Sequence, residues 1–109
     1  MEVEASRNVA QENGLLAEAD AAVDRGDHPR AIALYARVLR RNPDDTEVRR
    51  NLVALWLGEA AREDKAGNTG TALAAYANAL RNWRGNAQMG EAIRARMDFL
   101  EAEFRPFAE

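Results

Sequence analysis

The 109-residue sequence contains no cysteine, which excludes disulfides, thiolate metal sites and cysteine nucleophiles. Its only histidine, His28, stands beside Pro29 in a segment typical of a turn, where a lone histidine is more often a solvent-exposed residue than a functional one. Carboxylates are the only other candidate metal ligands, and no segment has the ligand spacing of a calcium loop. We therefore expect no metal, no cofactor and no catalytic residues.

A strong excess of one charge is also missing. Lys and Arg number 15 against 18 Asp and Glu, so the formal net charge of −3 gives no reason to expect a nucleic acid or an anionic membrane as partner. The longest apolar run, residues 52–58, is far too short to cross a bilayer. The first residues are acidic and lack the apolar stretch of a signal peptide. We expect a cytoplasmic location, or a periplasmic one if the chain is a fragment of an exported protein.

Proline, with three residues, and β-branched residues are scarce, whereas the strong helix formers Ala, Leu, Glu and Arg are abundant. This composition predicts an all-α fold. Apolar residues make up 47% of the chain, but many of them are alanines, which bury little area each. Because such a core is marginal at this length, self-association or attachment to a larger protein would help to stabilise it.

An internal repeat with a period of about 41 residues is the strongest pattern in the sequence. Two segments align without gaps: residues 26–42, GDHPRAIALYARVLRRN, and residues 67–83, GNTGTALAAYANALRNW. Gly26 is matched by Gly67, and Tyr35 is matched by Tyr76. The segments that precede these two align at the same spacing, so chance similarity is a poor explanation.

Each repeat unit reads as helix–turn–helix. Gly26 suits the turn after a helix because glycine tolerates positive φ, and Pro29 suits the first turn of the next helix. Pro43 ends that second helix, and the second helix of unit two is predicted at about residues 71–83. We divide one domain, residues 1–109, into unit one at about 6–43, unit two at about 44–84 and a capping helix at about 86–105.

Apolar residues recur at three- and four-residue spacing in the second, third and fifth predicted helices, which indicates a buried stripe on each. The predicted stripes are Ala31, Leu34, Tyr35, Val38 and Leu39; Val48, Leu52, Leu55, Trp56 and Ala60; and Met89, Ile93, Met97, Leu100 and Phe104.

These residues resemble the tetratricopeptide repeat family, in which a small residue and an aromatic residue lie four positions apart in the second helix. Ala31 and Tyr35 fit this pattern in unit one, followed by Pro43, and Ala72 and Tyr76 fit it in unit two. The period is about seven residues longer than the usual 34 or so, which is about two helical turns. The resemblance implies about two and a half helix-turn-helix units, five helices in all, that form a short right-handed superhelix.

The resemblance also implies a protein–protein interaction module, in which the first helix of each unit lines a concave groove for a partner peptide or helix. Helix geometry, counted from the small residue, places these residues in the groove: Asn13, Leu16, Asp20, Asp24, Ala54, Leu57, Ala61, Lys65, Asp98 and Phe99. We expect Leu16, Leu57 and Phe99 to form an apolar strip, and Asp20 and Asp24 to favour Lys or Arg in the partner. An alternative is that the array or the N-terminal segment covers the strip. Because Leu16 and Asp20 stand where the family's carboxylate clamp needs Lys and Asn, we expect no such clamp.

Other interpretations stay open at this point. The strip could serve homodimerisation in a structural scaffold, or the chain could be an adaptor or chaperone in a bacterial secretion or envelope assembly. Glu18 and Glu59 recur at the repeat spacing, and an acid–base pair is conceivable, but repetition favours a surface or packing role. An arginine-rich turn between the units could bind an anionic partner, although nearby acids favour local ion pairing: Arg37, Arg40, Arg41, Arg49 and Arg50 beside Asp44, Asp45 and Glu47.

Overall fold

The computed structural model describes the backbone of residues 2–104 and the side chains of residues 13–103. Five α-helices and no strand occur within this described part, which confirms the all-α prediction. The helices are α1 (Glu2–Asp24), α2 (His28–Arg41), α3 (Thr46–Lys65), α4 (Thr69–Asn82) and α5 (Ala87–Phe104).

The α1–α2 and α3–α4 turns have the same backbone geometry. Gly26 has a φ of 77° and Gly67 a φ of 83°, in the left-handed region that favours glycine. The amide that follows each glycine donates to a carbonyl five residues earlier at 2.8 Å, so both turns are Schellman motifs. The repeated glycine was therefore a correct sign of the two turns.

The residue after each of these glycines is the N-cap of the next helix, but the two caps differ. Asp27 accepts a hydrogen bond from the amide of Arg30 through Oδ1 at 3.3 Å. Asn68 has nearly the same φ and ψ, but its side chain makes no capping hydrogen bond. Its side-chain Nδ2 instead donates to Oε2 of Glu63 at 2.7 Å. The first turn of α2 therefore has a side-chain acceptor for one of its backbone amides, and the first turn of α4 does not.

The chain forms two compact units, Met1–Leu52 and Val53–Glu109. In the first unit α1 packs against α2. All five residues of the stripe predicted for α2 are buried. The described core of this unit is Ala19, Ala22, Ala31, Leu34, Tyr35, Val38, Leu39, Val48 and Leu52.

In the second unit α4 packs against α5. Its described core is Val53, Ala60, Ala72, Ala75, Ala79, Ile93 and Leu100. Alanines form most of this set, so each larger side chain supplies a large share of the apolar area that the unit buries. No helix in the described part of the chain is long and apolar enough to cross a membrane.

Several local predictions need correction. Helix α4 begins at Thr69 instead of about residue 71, because Asn68 is its N-cap and the first turn accommodates Gly70. Met89, predicted in the stripe of α5, is 44% exposed because it lies in the first turn of that helix. His28 begins α2 and is partly buried, so it is not an exposed turn residue. The side chain of Phe104 lies outside the described residues.

Arg49 and Asp45, two residues of the arginine-rich turn between α2 and α3, contact backbone groups, and ion pairing within this turn stays a prediction. Arg49 donates through Nη2 to the carbonyl oxygen of Pro43 at 2.5 Å. Asp45 accepts from the amide of Val48 at 3.1 Å and so caps α3. Both side chains satisfy backbone groups that the turn and the helix end would otherwise leave without a partner.

Candidate partner-binding surface

The predicted groove residues of unit one are accessible on α1. Ala19 and Ala22 of α1 are fully buried. Asn13, Asp20 and Asp24 are exposed, and Leu16 is partly exposed. The burial pattern separates a packing face from a solvent face, as expected for an amphipathic helix. The role of the solvent face in partner binding stays a prediction.

The predicted groove residues of unit two are also accessible. On α3 the described side chains of Ala54, Ala61 and Lys65 are exposed, and Leu57 is partly exposed. On α5 Asp98 is exposed, and Phe99 is 51% exposed. Single exposed apolar side chains are common on protein surfaces, so the contribution of Phe99 to partner binding stays a prediction.

Tyr35 connects α1 and α2 through its hydroxyl group. The ring is 3% exposed, and the hydroxyl donates to Oδ1 of Asp20 at 2.5 Å. Burial and the hydrogen bond to Asp20 raise the pKa of Tyr35 to about 12, helped by the negative charges of Asp20 and Asp24, while a hydrogen bond with Asn51 acts in the opposite direction. Asp20 is therefore exposed to solvent and also accepts a hydrogen bond that links α1 to α2.

Replacing Asp20 by asparagine is expected to lower the pKa of Tyr35 from about 12 towards its usual value of 10, without reaching it because the ring stays buried. The pKa is raised on folding, so this tyrosine stabilises the fold below about pH 10, and the contribution is lost as the pH rises through about 12. The titration is followed by tyrosinate absorbance in a Tyr76→Phe background, where Tyr35 is the only tyrosine. An unchanged pKa would show that the hydrogen bond does not form in solution.

Tyr76 makes the corresponding contact in unit two, within a larger cluster. Its hydroxyl donates to Oδ2 of Asp64 at 3.2 Å. Arg96 of α5 donates to both Asp64 oxygens, from Nε at 2.7 Å and from Nη2 at 2.6 Å. This bidentate pair holds the pKa of Asp64 below its usual value, although partial burial opposes the shift. The cluster joins α3, α4 and α5 through polar contacts.

Arg96 also contacts Phe99. Its guanidinium carbon lies 4.8 Å from the centroid of the Phe99 ring, within the range of a cation–π interaction. The guanidinium that Asp64 holds therefore also contacts the half-exposed ring.

Sequence reasoning did not identify Asp64 or Arg96. The repeat does pair Tyr35 with Tyr76, but the residue of unit one that aligns with Asp64 is Val23, and Asp20 aligns with Ala61. The two tyrosines therefore use acceptors at different positions of the first helix, and the repeat could not reveal the second one.

The recurring glutamates form surface ion pairs. Glu18 pairs with Arg30 at 3.2 Å, and Glu59 pairs with Arg62 at 2.7 Å. These partly exposed pairs contribute little to stability. Among the residues whose side chains the structure describes, no group of three His, Asp or Glu side chains could hold a metal ion.

The comparisons with known proteins bear on the first unit. No curated protein and no solved structure matches the chain. A family model described as "Tetratricopeptide repeat" matches residues 12–55, a segment that runs from α1 through α2 into α3. It includes the small residue and the aromatic residue of α2 that carry the sequence resemblance, Ala31 and Tyr35. This match supports the assignment of residues 12–55 to the tetratricopeptide repeat family.

Proposed function

We propose that the chain is a protein–protein interaction module that binds a peptide or helix of a partner protein on the solvent faces of its first helices, α1, α3 and α5. Tetratricopeptide repeats generally mediate protein–protein interactions and are typically not enzymes. The observation that carries the proposal is the exposure of the α1 face within the matched repeat, where Asp20 and Asp24 are exposed and Leu16 is partly exposed.

The chemistry of these faces favours a partner segment that is apolar and basic. Leu16, Leu57 and Phe99 each leave apolar surface accessible. Asp20 and Asp24 lie one helical turn apart, so a Lys or Arg of the partner could approach both carboxylates. The hydroxyl of Tyr35 is a neutral donor and leaves the charge of Asp20 unbalanced, so the carboxylate still attracts a cation.

The proposal is tested with peptides selected from a random library for binding to the wild-type chain. We expect selected sequences to combine apolar residues with Lys or Arg, and to bind Leu16→Asp and Leu57→Asp at least about tenfold more weakly by fluorescence polarisation, because an aspartate would be brought against apolar peptide side chains. Ala33→Asp is the matched control, since Ala33 is an exposed residue of α2 that lies outside the proposed surface.

Circular dichroism melts of each variant separate lost binding from lost folding. Equal affinity of the selected peptides for all four proteins would contradict the proposal. Analytical ultracentrifugation addresses the homodimer alternative: a dimer that Leu57→Asp dissociates would assign the apolar residues to self-association instead of partner binding.

A further inference from the structure

Unit one contains an open cleft of about 340 Å³ between α1 and α2. Its described lining residues are Gly14, Leu15 and Glu18 from α1, and Arg37 and Arg41 from α2. None of these residues belongs to the surface proposed above for partner binding. Gly14 is a helical glycine, and a Cβ atom placed on it would meet no atom within 4 Å, so the missing side chain helps to keep the cleft open.

The two arginines give this cleft the chemistry of a carboxylate site. Arg37 and Arg41 are separated by one helical turn, so both guanidinium groups lie on the same side of α2. Each guanidinium carries its N–H donors in a planar fork that matches the geometry of a carboxylate. Glu18 is the one acid of the described lining, and Arg30 partly neutralises it by donating from Nη2 at 3.2 Å.

Three residues that line the cleft of unit one are not repeated in unit two. At the spacing of about 41 residues, Gly14 aligns with Leu55, and the two arginines align with Asn78 and Asn82. In unit two a leucine therefore replaces the glycine, and both positive charges are missing. Packing of the repeat requires neither the open glycine nor the arginine pair, since the second unit folds without them.

We propose that this cleft binds acidic side chains of a partner protein, with one or two carboxylates held by Arg37 and Arg41 and the adjoining aliphatic carbons packed on Leu15. The volume suits one or two amino-acid side chains. Its described lining includes no aromatic ring on which a nucleobase could stack, and the chain has a net charge of −3, so an acidic peptide fits better than a nucleic acid.

The test measures the binding of fluorescein-labelled hexaglutamate, capped at both ends, by fluorescence anisotropy at low ionic strength. We expect hexaglutamate to bind the wild-type chain, and uncharged hexaglutamine not to bind. Arg37→Gln should weaken hexaglutamate binding at least about fivefold, because it removes charge-assisted hydrogen bonds. Gly14→Leu should weaken it similarly by filling the cleft, although the net charge does not change.

A charge control makes the result specific. Arg50→Gln removes the same charge from an exposed position of α3 outside the cleft and should change the affinity less than about twofold. Circular dichroism establishes that each variant is folded.

Three outcomes would overturn the proposal. The first is no binding of hexaglutamate to the wild-type chain at millimolar concentration. The second is an equal loss of affinity in Arg37→Gln and Arg50→Gln, which would show attraction by overall charge. The third is binding of six-nucleotide oligothymidylate as tight as that of hexaglutamate and equally sensitive to Arg37→Gln, which would identify a general anion site instead of a site for acidic side chains.

Discussion

Leu100→Ala is expected to lower the free energy of unfolding by about 2–4 kcal/mol, because the leucine is almost completely buried and its truncation leaves a cavity. Leu100 is 2% exposed and belongs to α5, the helix that packs against α4. Because four of the seven described core residues of this unit are alanines, few large side chains remain to close the cavity. In a domain of this size such a loss is a large part of a total stability of about 5–10 kcal/mol.

The neighbouring residue provides the control. Phe99 has the larger side chain, but it is 51% exposed, so Phe99→Ala should lower the stability by only about 0.5–1 kcal/mol, mainly through its contact with Arg96. Urea denaturation followed by circular dichroism gives both values. A similar loss for the two variants would mean that α5 does not bury Leu100 in solution. A Phe99→Ala variant of near wild-type stability also allows peptide binding to be measured without a folding defect.

Gly85→Ala is expected to destabilise the chain by about 1–3 kcal/mol, because the new methyl group would overlap the indole ring of Trp83. A Cβ atom on Gly85 would lie 2.6 Å from Cη2 and 2.8 Å from Cε2 of that ring. The ring is held by a hydrogen bond from its Nε1 to the carbonyl oxygen of Asn86 at 2.9 Å, and it also lies against Gly90. A shift of the ring would therefore disturb the α4–α5 turn.

Gly58→Ala is the matched comparison and should have the opposite sign. Gly58 lies inside α3, and a Cβ atom on it would meet no atom within 4 Å, so alanine should stabilise the helix by about 0.5–1 kcal/mol. Thermal melts compare the two substitutions in a Trp56→Phe background. There Trp83 is the only tryptophan, and Gly85→Ala should change its emission. If Gly85→Ala were as stable as its parent, the ring could not occupy this position.

The helices and turns of this chain could be predicted from sequence because their determinants are local. Gly26 and Gly67 mark the two Schellman turns, and every residue of the stripe predicted for α2 is buried. The errors fall where local signals compete, as at the start of α4, where Gly70 suggests a turn but lies within the helix.

The contacts that order the candidate surface could not be predicted in this way. Asp64 and Arg96 are 32 residues apart, and only the packing of α5 brings the guanidinium to the carboxylate. Asp20 was predicted as a groove residue from helix geometry, but nothing in the sequence indicated that the hydroxyl of Tyr35 would donate to it. Pairs of this kind depend on side-chain positions that a repeat spacing does not specify.

The packing of α1 against α2 and of α4 against α5 has a kinetic consequence. Helices that are neighbours in the chain meet after closing only a short turn, so little loop entropy is lost before their contacts form. Helical proteins in which local contacts dominate fold on microsecond to millisecond timescales. A core rich in alanine limits the free energy of unfolding. Packing between helices that are neighbours in the chain nevertheless favours rapid refolding each time the chain unfolds.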